Sequence, residues 1–72
     1  MSGYQSGGRP MASVQAALAE LLGALGFRAM SLQAADEQDE EKLRLYARII
    51  VKQAPAERRP QILRRLEQLG LL

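Results

Sequence analysis

The stretch DEQDEEKLRLYARIIVKQAP, residues 36–55, decides the fold because it carries the signature of one complete amphipathic helix. Asp36 is a good N-cap residue, and the acidic side chains that follow it suit the positive end of a helix dipole. Basic side chains occupy the later turns, and Pro55 disfavours helical geometry in the residue before it. The pattern predicts a helix over residues 37–53.

The apolar face of this predicted helix is unusually wide. It spans about 200° on a helical wheel, which is more than one neighbouring helix requires. Its members are Leu43, Tyr46, Ala47, Ile49, Ile50 and Val51, with Leu45 to one side. We therefore expect this helix to be the centre of the fold and to contact more than one other helix. On its polar side, Glu40 and Arg44 have the spacing and order of a favourable ion pair.

A second amphipathic pattern precedes it and predicts a helix over residues 13–25. Ser13 is a good N-cap residue, Gly26 suits a left-handed C-cap position, and Phe27 is placed to fold back on the last turn. The apolar stripe consists of Val14, Ala17, Leu18, Leu21, Leu22 and Leu25. The opposite face carries Ala16, Ala19 and Gly23, with Glu20 as its one charge. This small face leaves two interpretations open: a poorly charged surface helix, or a helix that is contacted on both sides.

A third pattern predicts a helix over residues 58–69, with Pro60 in its first turn and Gly70 as its C-cap residue. Its apolar stripe consists of Ile62, Leu63, Leu66 and Leu69. Between the first two helices, residues 28–35 are expected to form a connection that contains a turn begun by Ser31. Two side chains of this connection are available to fill the core: Met30 and Leu32.

These patterns predict an all-α fold, a small three-helix bundle with a disordered N-terminal tail. Residues 1–12 are rich in Gly and Ser and form the expected flexible tail, and residues 13–72 form the single domain. A lone core in a chain below about 70–80 residues seldom contributes more than about 3–5 kcal/mol. Disulfides are excluded because the chain has no Cys, and without Cys and His it lacks the usual ligands of a structural metal. Self-association is therefore the remaining source of extra stability.

The residues that most often carry chemistry are missing, because the chain has neither His nor Cys. No nucleophile motif and no phosphate-binding glycine loop occurs, so we expect no enzyme, no cofactor and no metal. The acidic block at residues 36–41 lacks the glycine of a calcium loop and is interpreted as helix capping. The N-terminus lacks a secretory signal pattern, and no apolar segment approaches the roughly 20 residues of a membrane span. We expect a cytoplasmic protein, and the preference for Arg over Lys is typical of a GC-rich bacterial source.

Positive charge is concentrated between residues 44 and 65, where Glu57 is the one acid. One interpretation is nucleic-acid binding by the third predicted helix, with its arginines on phosphates or guanine and its glutamines on adenine. The side chains concerned are Gln61, Arg64, Arg65 and Gln68. Against this, the net charge is only +2, and the segment before the helix does not resemble the short turn of a helix-turn-helix motif.

The favoured interpretation is a non-catalytic protein–protein interaction module, a small helical adaptor or regulator that forms a homodimer. The acidic block and the basic segment are complementary, so two copies or a charged partner helix would place opposite signs together. We expect a protein partner to bind through an apolar helical face with an arginine rim. The residues assigned to this face are Arg58, Arg59, Arg64 and Arg65 as the rim, and Leu45, Ile49, Leu71 and Leu72 as apolar contacts left over from the core.

Overall fold

The computed structural model describes residues 10–72, and residues 1–9 of the predicted tail, which was assigned to residues 1–12, lie outside the described residues. The described chain is a compact all-α domain without strands, so the all-α part of the predicted fold class is confirmed. It contains four helices where three were predicted. They are α1 (Met11–Ala24), α2 (Arg28–Asp36), α3 (Glu40–Gln53) and α4 (Arg59–Gln68).

The additional helix is α2, which occupies the segment predicted to be a connection. Only Ala34 of its nine residues is buried, and its N-cap residue, Phe27, makes no side-chain hydrogen bond. A helix with such a narrow apolar face gives almost no periodic signal in the sequence. Ser31 does not begin a turn, and Leu32 is 74 % exposed and does not fill the core. Met30 does pack against the core, as predicted.

Helix α1 begins two residues earlier than predicted, because Pro10 takes the N-cap position that was assigned to Ser13. The Pro10 carbonyl accepts hydrogen bonds from the amides of Ser13 and Val14, at 3.0 and 3.2 Å. Proline suits this place because its fixed φ is preorganised for a helix start and its missing N–H would have no helical partner. Met11 therefore belongs to α1 and packs against the core instead of lying in the tail.

Both predicted glycine C-caps are confirmed. Gly26 and Gly70 have φ of 93° and 78°, a region that residues with a Cβ rarely adopt. After α1, the Phe27 amide donates to the Leu22 carbonyl at 2.9 Å and the Gly26 amide donates to Gly23 at 3.0 Å. The same two bonds recur after α4, and they define a Schellman motif at each end.

The N-terminus of α3 lies three residues later than predicted. Asp36 is the last residue of α2, and Asp39 is the N-cap residue of α3. The Asp39 carboxylate accepts a hydrogen bond from the Glu41 amide at 2.9 Å. The predicted Glu40–Arg44 ion pair is present at 3.9 Å, but both side chains are largely exposed and such pairs contribute little stability. The C-terminal end of α3 at Gln53, before Pro55, is as predicted.

The core is made of aliphatic side chains from all four helices and contains no buried polar or charged residue among the described ones. Five side chains are almost completely inaccessible: Leu18, Leu22, Leu43, Ile50 and Leu66. They lie on the predicted apolar stripes, because the spacing of these stripes is that of a helix face turned inward. Leu63, the remaining large member of the α4 stripe, is only half-buried.

Helices α1 and α2 pack most extensively, whereas α3 lies against α1, α2 and α4. The wide apolar face of α3 thus contacts several helices, as predicted. The small face of α1 is also contacted: the Ser31 hydroxyl of α2 donates to the Ala19 carbonyl at 2.7 Å, and a Cβ on Gly23 would lie 3.5 Å from the same hydroxyl oxygen. Helix α4 packs on α3, and its Cα atoms stay more than 8 Å from those of α1.

Candidate functional site

The four arginines predicted to form one rim have different structural roles, and Arg59 is part of the fold. Its Nε donates to the Val51 carbonyl at 3.2 Å, and one terminal nitrogen donates to the Ala54 carbonyl at 2.9 Å. These carbonyls lie at the C-terminal end of α3, where helix carbonyls lack intrahelical partners and the dipole favours a cation. The Arg59 side chain therefore caps the C-terminal end of α3, and both of these hydrogen bonds are made within the domain.

Arg58 and Arg65 lie together on one groove. The groove runs between α1 and α4, encloses about 270 Å³, and has Leu21, Ala24 and Leu25 on its α1 side. Its α4 side consists of Arg58, Gln61, Ile62 and Arg65. The two arginines are seven residues apart, so two helical turns bring them to the same side of α4. Here the structure does combine an arginine rim with an apolar helical surface.

The groove has an apolar floor and charge of one sign. Ile62 is buried, Leu21 and Leu25 are half-buried, and both arginine side chains are exposed. None of the seven lining residues is acidic. Arg58 and Arg65 also make no ion pair within residues 10–72. The groove therefore offers apolar contact area together with two cations whose partners would have to come from another molecule.

Arg64 points elsewhere, because consecutive residues of a helix are about 100° apart. It is exposed and does not line the groove. This separation also bears on the nucleic-acid interpretation, since Gln61 and Arg65 face the groove beside α1 while Arg64 does not. That interpretation stays a prediction.

The apolar residues assigned to the site are also divided. Leu45 and Leu72 are half exposed, at 50 and 53 %, and Ile49 is half-buried. Leu71 is only 8 % exposed and belongs to the core cluster, so it is not left over after the core is filled. The Schellman motif at Gly70 explains the difference, because it turns the chain so that Leu71 folds back onto the domain.

Four residues of the groove were missed as site residues, Leu21, Ala24, Leu25 and Ile62, and a fifth, Gln61, was named only for the nucleic-acid interpretation. The sequence places both leucines on the apolar stripe of α1, and a helical wheel does not show which part of a stripe another helix covers. The signal that identifies them is the position of α4, which packs on α3 and leaves this edge of α1 open.

Neither a metal cluster nor a membrane span is found in the described part of the chain. Residues 10–72 contain no cluster of three acidic side chains that could hold a metal ion. No helix in this range has the length and apolar character that crossing a membrane requires. No family model, curated protein or solved structure matches the chain.

Proposed function

We propose that the protein is a non-catalytic interaction module that binds an acidic amphipathic helix of a protein partner in the groove between α1 and α4. One observation carries this proposal: an apolar floor and two exposed arginines share a single groove whose lining contains no acid. An apolar surface alone would fit many partners, but the charge of the rim restricts them to helices that carry carboxylates beside an apolar stripe.

The chemistry of the rim suits this partner. A guanidinium forms two parallel hydrogen bonds with a carboxylate, so Arg58 and Arg65 would fix the register of a bound helix. The floor of Leu21, Leu25 and Ile62 would receive apolar side chains at helical spacing, which is the usual mode of helix-in-groove recognition. Affinity would come mainly from the floor, and selectivity and association rate mainly from the rim.

A designed peptide tests this function. The probe is a labelled amphipathic helix of about 16 residues with a leucine stripe flanked by glutamates, and binding is measured by fluorescence anisotropy. We expect the Arg58→Glu, Arg65→Glu double variant to bind at least about tenfold more weakly, because two attractive contacts become repulsive. Amide shifts on binding should concentrate at Leu21, Ala24 and Ile62.

The matched control is Arg64→Glu, which makes the same type of charge change on a side of α4 outside the groove. It should retain affinity to within about twofold. An equal loss of affinity per substituted charge in the groove variant and in Arg64→Glu would show that the peptide responds only to net charge. Amide shifts centred away from the groove would also contradict the proposal. A second peptide with lysines in place of the glutamates should not bind.

A further inference from the structure

The outward surface of α3 contains a shallow concavity that is separate from the α1–α4 groove. It encloses about 300 Å³ and is lined by Glu41, Arg44, Leu45 and Arg48. These four residues have the spacing i, i+3, i+4 and i+7. Four residues so spaced form the hole that receives one side chain of a neighbouring helix in knobs-into-holes packing. This surface of α3 thus has the form of a helix-packing site without a helix on it.

Opposite charges lie at the two ends of this hole. Glu41 and Arg48 are seven residues apart, or about 10 Å along the helix axis, which is too far for an ion pair within one helix. Arg44 is already paired with Glu40, but within residues 10–72 neither Glu41 nor Arg48 has an ion-pair partner. Leu45, half exposed, lies between them.

We propose that a second copy of this chain occupies the site, with the two α3 helices antiparallel about a two-fold axis that passes between residues 44 and 45. This axis places Glu41 of each copy opposite Arg48 of the other, which gives two equivalent ion pairs. It also directs Leu45 of each copy into the hole of the other. Ile49, half-buried beside Leu45, extends the apolar contact.

The charge pattern is what identifies a second copy as the occupant. A two-fold interface uses the same patch on both subunits, so the patch must be complementary to itself. The outer surface of α3 meets this condition through Glu41 and Arg48, which carry opposite signs at equal distances from the axis. The axis also brings the two Arg44 side chains together, and each of them keeps Glu40 of its own chain as its ion-pair partner. The α1–α4 groove does not, because its rim is entirely basic.

The dimer is expected to be weak. One helix pair buries less than the roughly 1,200 Å² at which stable interfaces begin, so association should become visible at high micromolar concentrations. The inference goes beyond the proposed function and does not depend on it, because the two surfaces share no residue.

Charge exchange tests the pairing. Sedimentation equilibrium of the full chain between about 10 µM and 1 mM should show reversible dimer formation. Glu41→Arg and Arg48→Glu should each weaken the dimer at least about tenfold, because each variant creates two like-charge contacts. The double variant should restore dimerisation, and no contact within one chain explains such a rescue. The matched controls are Glu67→Arg and Arg64→Glu on α4, which should leave association unchanged.

Leu45→Ala is the second test and covers the case in which a charge variant fails to fold. It should weaken the dimer while helicity and melting temperature at low concentration stay constant, because Leu45 is outside the core. Three results would overturn the proposal: a monomer at 1 mM, a dimer unaffected by the single charge variants and by Leu45→Ala, or a double variant that folds and does not recover association.

Discussion

Helices α1 and α3 have the same length, 14 residues, but their C-terminal ends are satisfied in different ways. The end of α1 is closed by its own chain, through the positive φ of Gly26 and two backbone hydrogen bonds. The end of α3 has no glycine, and Arg59 from the next helix donates to its carbonyls instead. The first arrangement is local, whereas the second joins two helices.

This difference shapes the candidate site. The Arg59 bonds and the short connection hold the start of α4 against α3, whereas within residues 10–72 the Cα atoms of α4 stay more than 8 Å from those of α1. The edge of α1 that carries Leu21 and Leu25 consequently remains open and becomes one wall of the groove. The arginines of residues 58–65 therefore cannot be treated as equivalent. Arg59 holds α4 against α3, and Arg58 and Arg65 line the groove that this arrangement leaves open.

Of the substitutions that test these helix ends, Arg59→Ala is expected to have the largest effect on the stability of the domain. Removing the side chain deletes two charge-assisted hydrogen bonds and leaves the carbonyl of Ala54, a residue 3 % exposed, without this donor. We expect a loss of about 2 kcal/mol in the free energy of unfolding, measured by urea denaturation. Arg58→Ala is the matched control and should change stability by less than about 0.5 kcal/mol. Equal losses in the two variants would refute the structural role of Arg59.

Gly26→Ala tests the other helix end and should have an intermediate effect. A Cβ at this position would meet open space, so the entire cost comes from the φ of 93°. We expect a loss of about 1 kcal/mol, measured by the same denaturation experiment. If Gly26→Ala were neutral, α1 would not end in the left-handed conformation seen here.

The smallest effect, with the opposite sign, is expected from Gly23→Ala. Gly23 lies inside α1 without a positive φ, and an added Cβ would make an ordinary contact at 3.5 Å with the Ser31 hydroxyl oxygen. Alanine is favoured over glycine within helices, so thermal melting should show a gain of about 0.5–1 kcal/mol. A loss would mean that α2 approaches α1 too closely at this point to admit a methyl group.

Sequence patterns predicted most of the helical framework because the helices concerned bury a broad face. The inward side chains of α1, α3 and α4 follow from the spacing of apolar residues. The C-terminal end of α3 follows from Pro55, and the two C-caps follow from Gly26 and Gly70. Helix α2 was missed because it buries only Ala34 and its N-cap position is occupied by Phe27, which has no side-chain group to cap a helix. The N-cap of α3 was misplaced because Asp36 and Asp39 are equally good candidates in sequence, and only the end of α2 distinguishes them.

The candidate site was less predictable because it depends on which helices meet. The sequence shows that Arg58 and Arg65 share one side of α4, but not that this side borders Leu21 and Leu25. It also gives no means of separating Arg59 from its neighbours, since its partners are backbone carbonyls, which every residue has. Leu45 was correctly placed outside the core because it lies beside the apolar face of α3 and not within it.

The close packing of α1 on α2 has a kinetic consequence. The two helices are joined by only three residues, 25–27, and they form the most extensive helix pair in the domain. Contacts between segments that are near in sequence cost little loop-closure entropy. Domains dominated by such contacts cross low barriers and fold in microseconds to milliseconds. The first half of the chain can thus form a nucleus on which α3 and then α4 assemble, without any search for a distant partner.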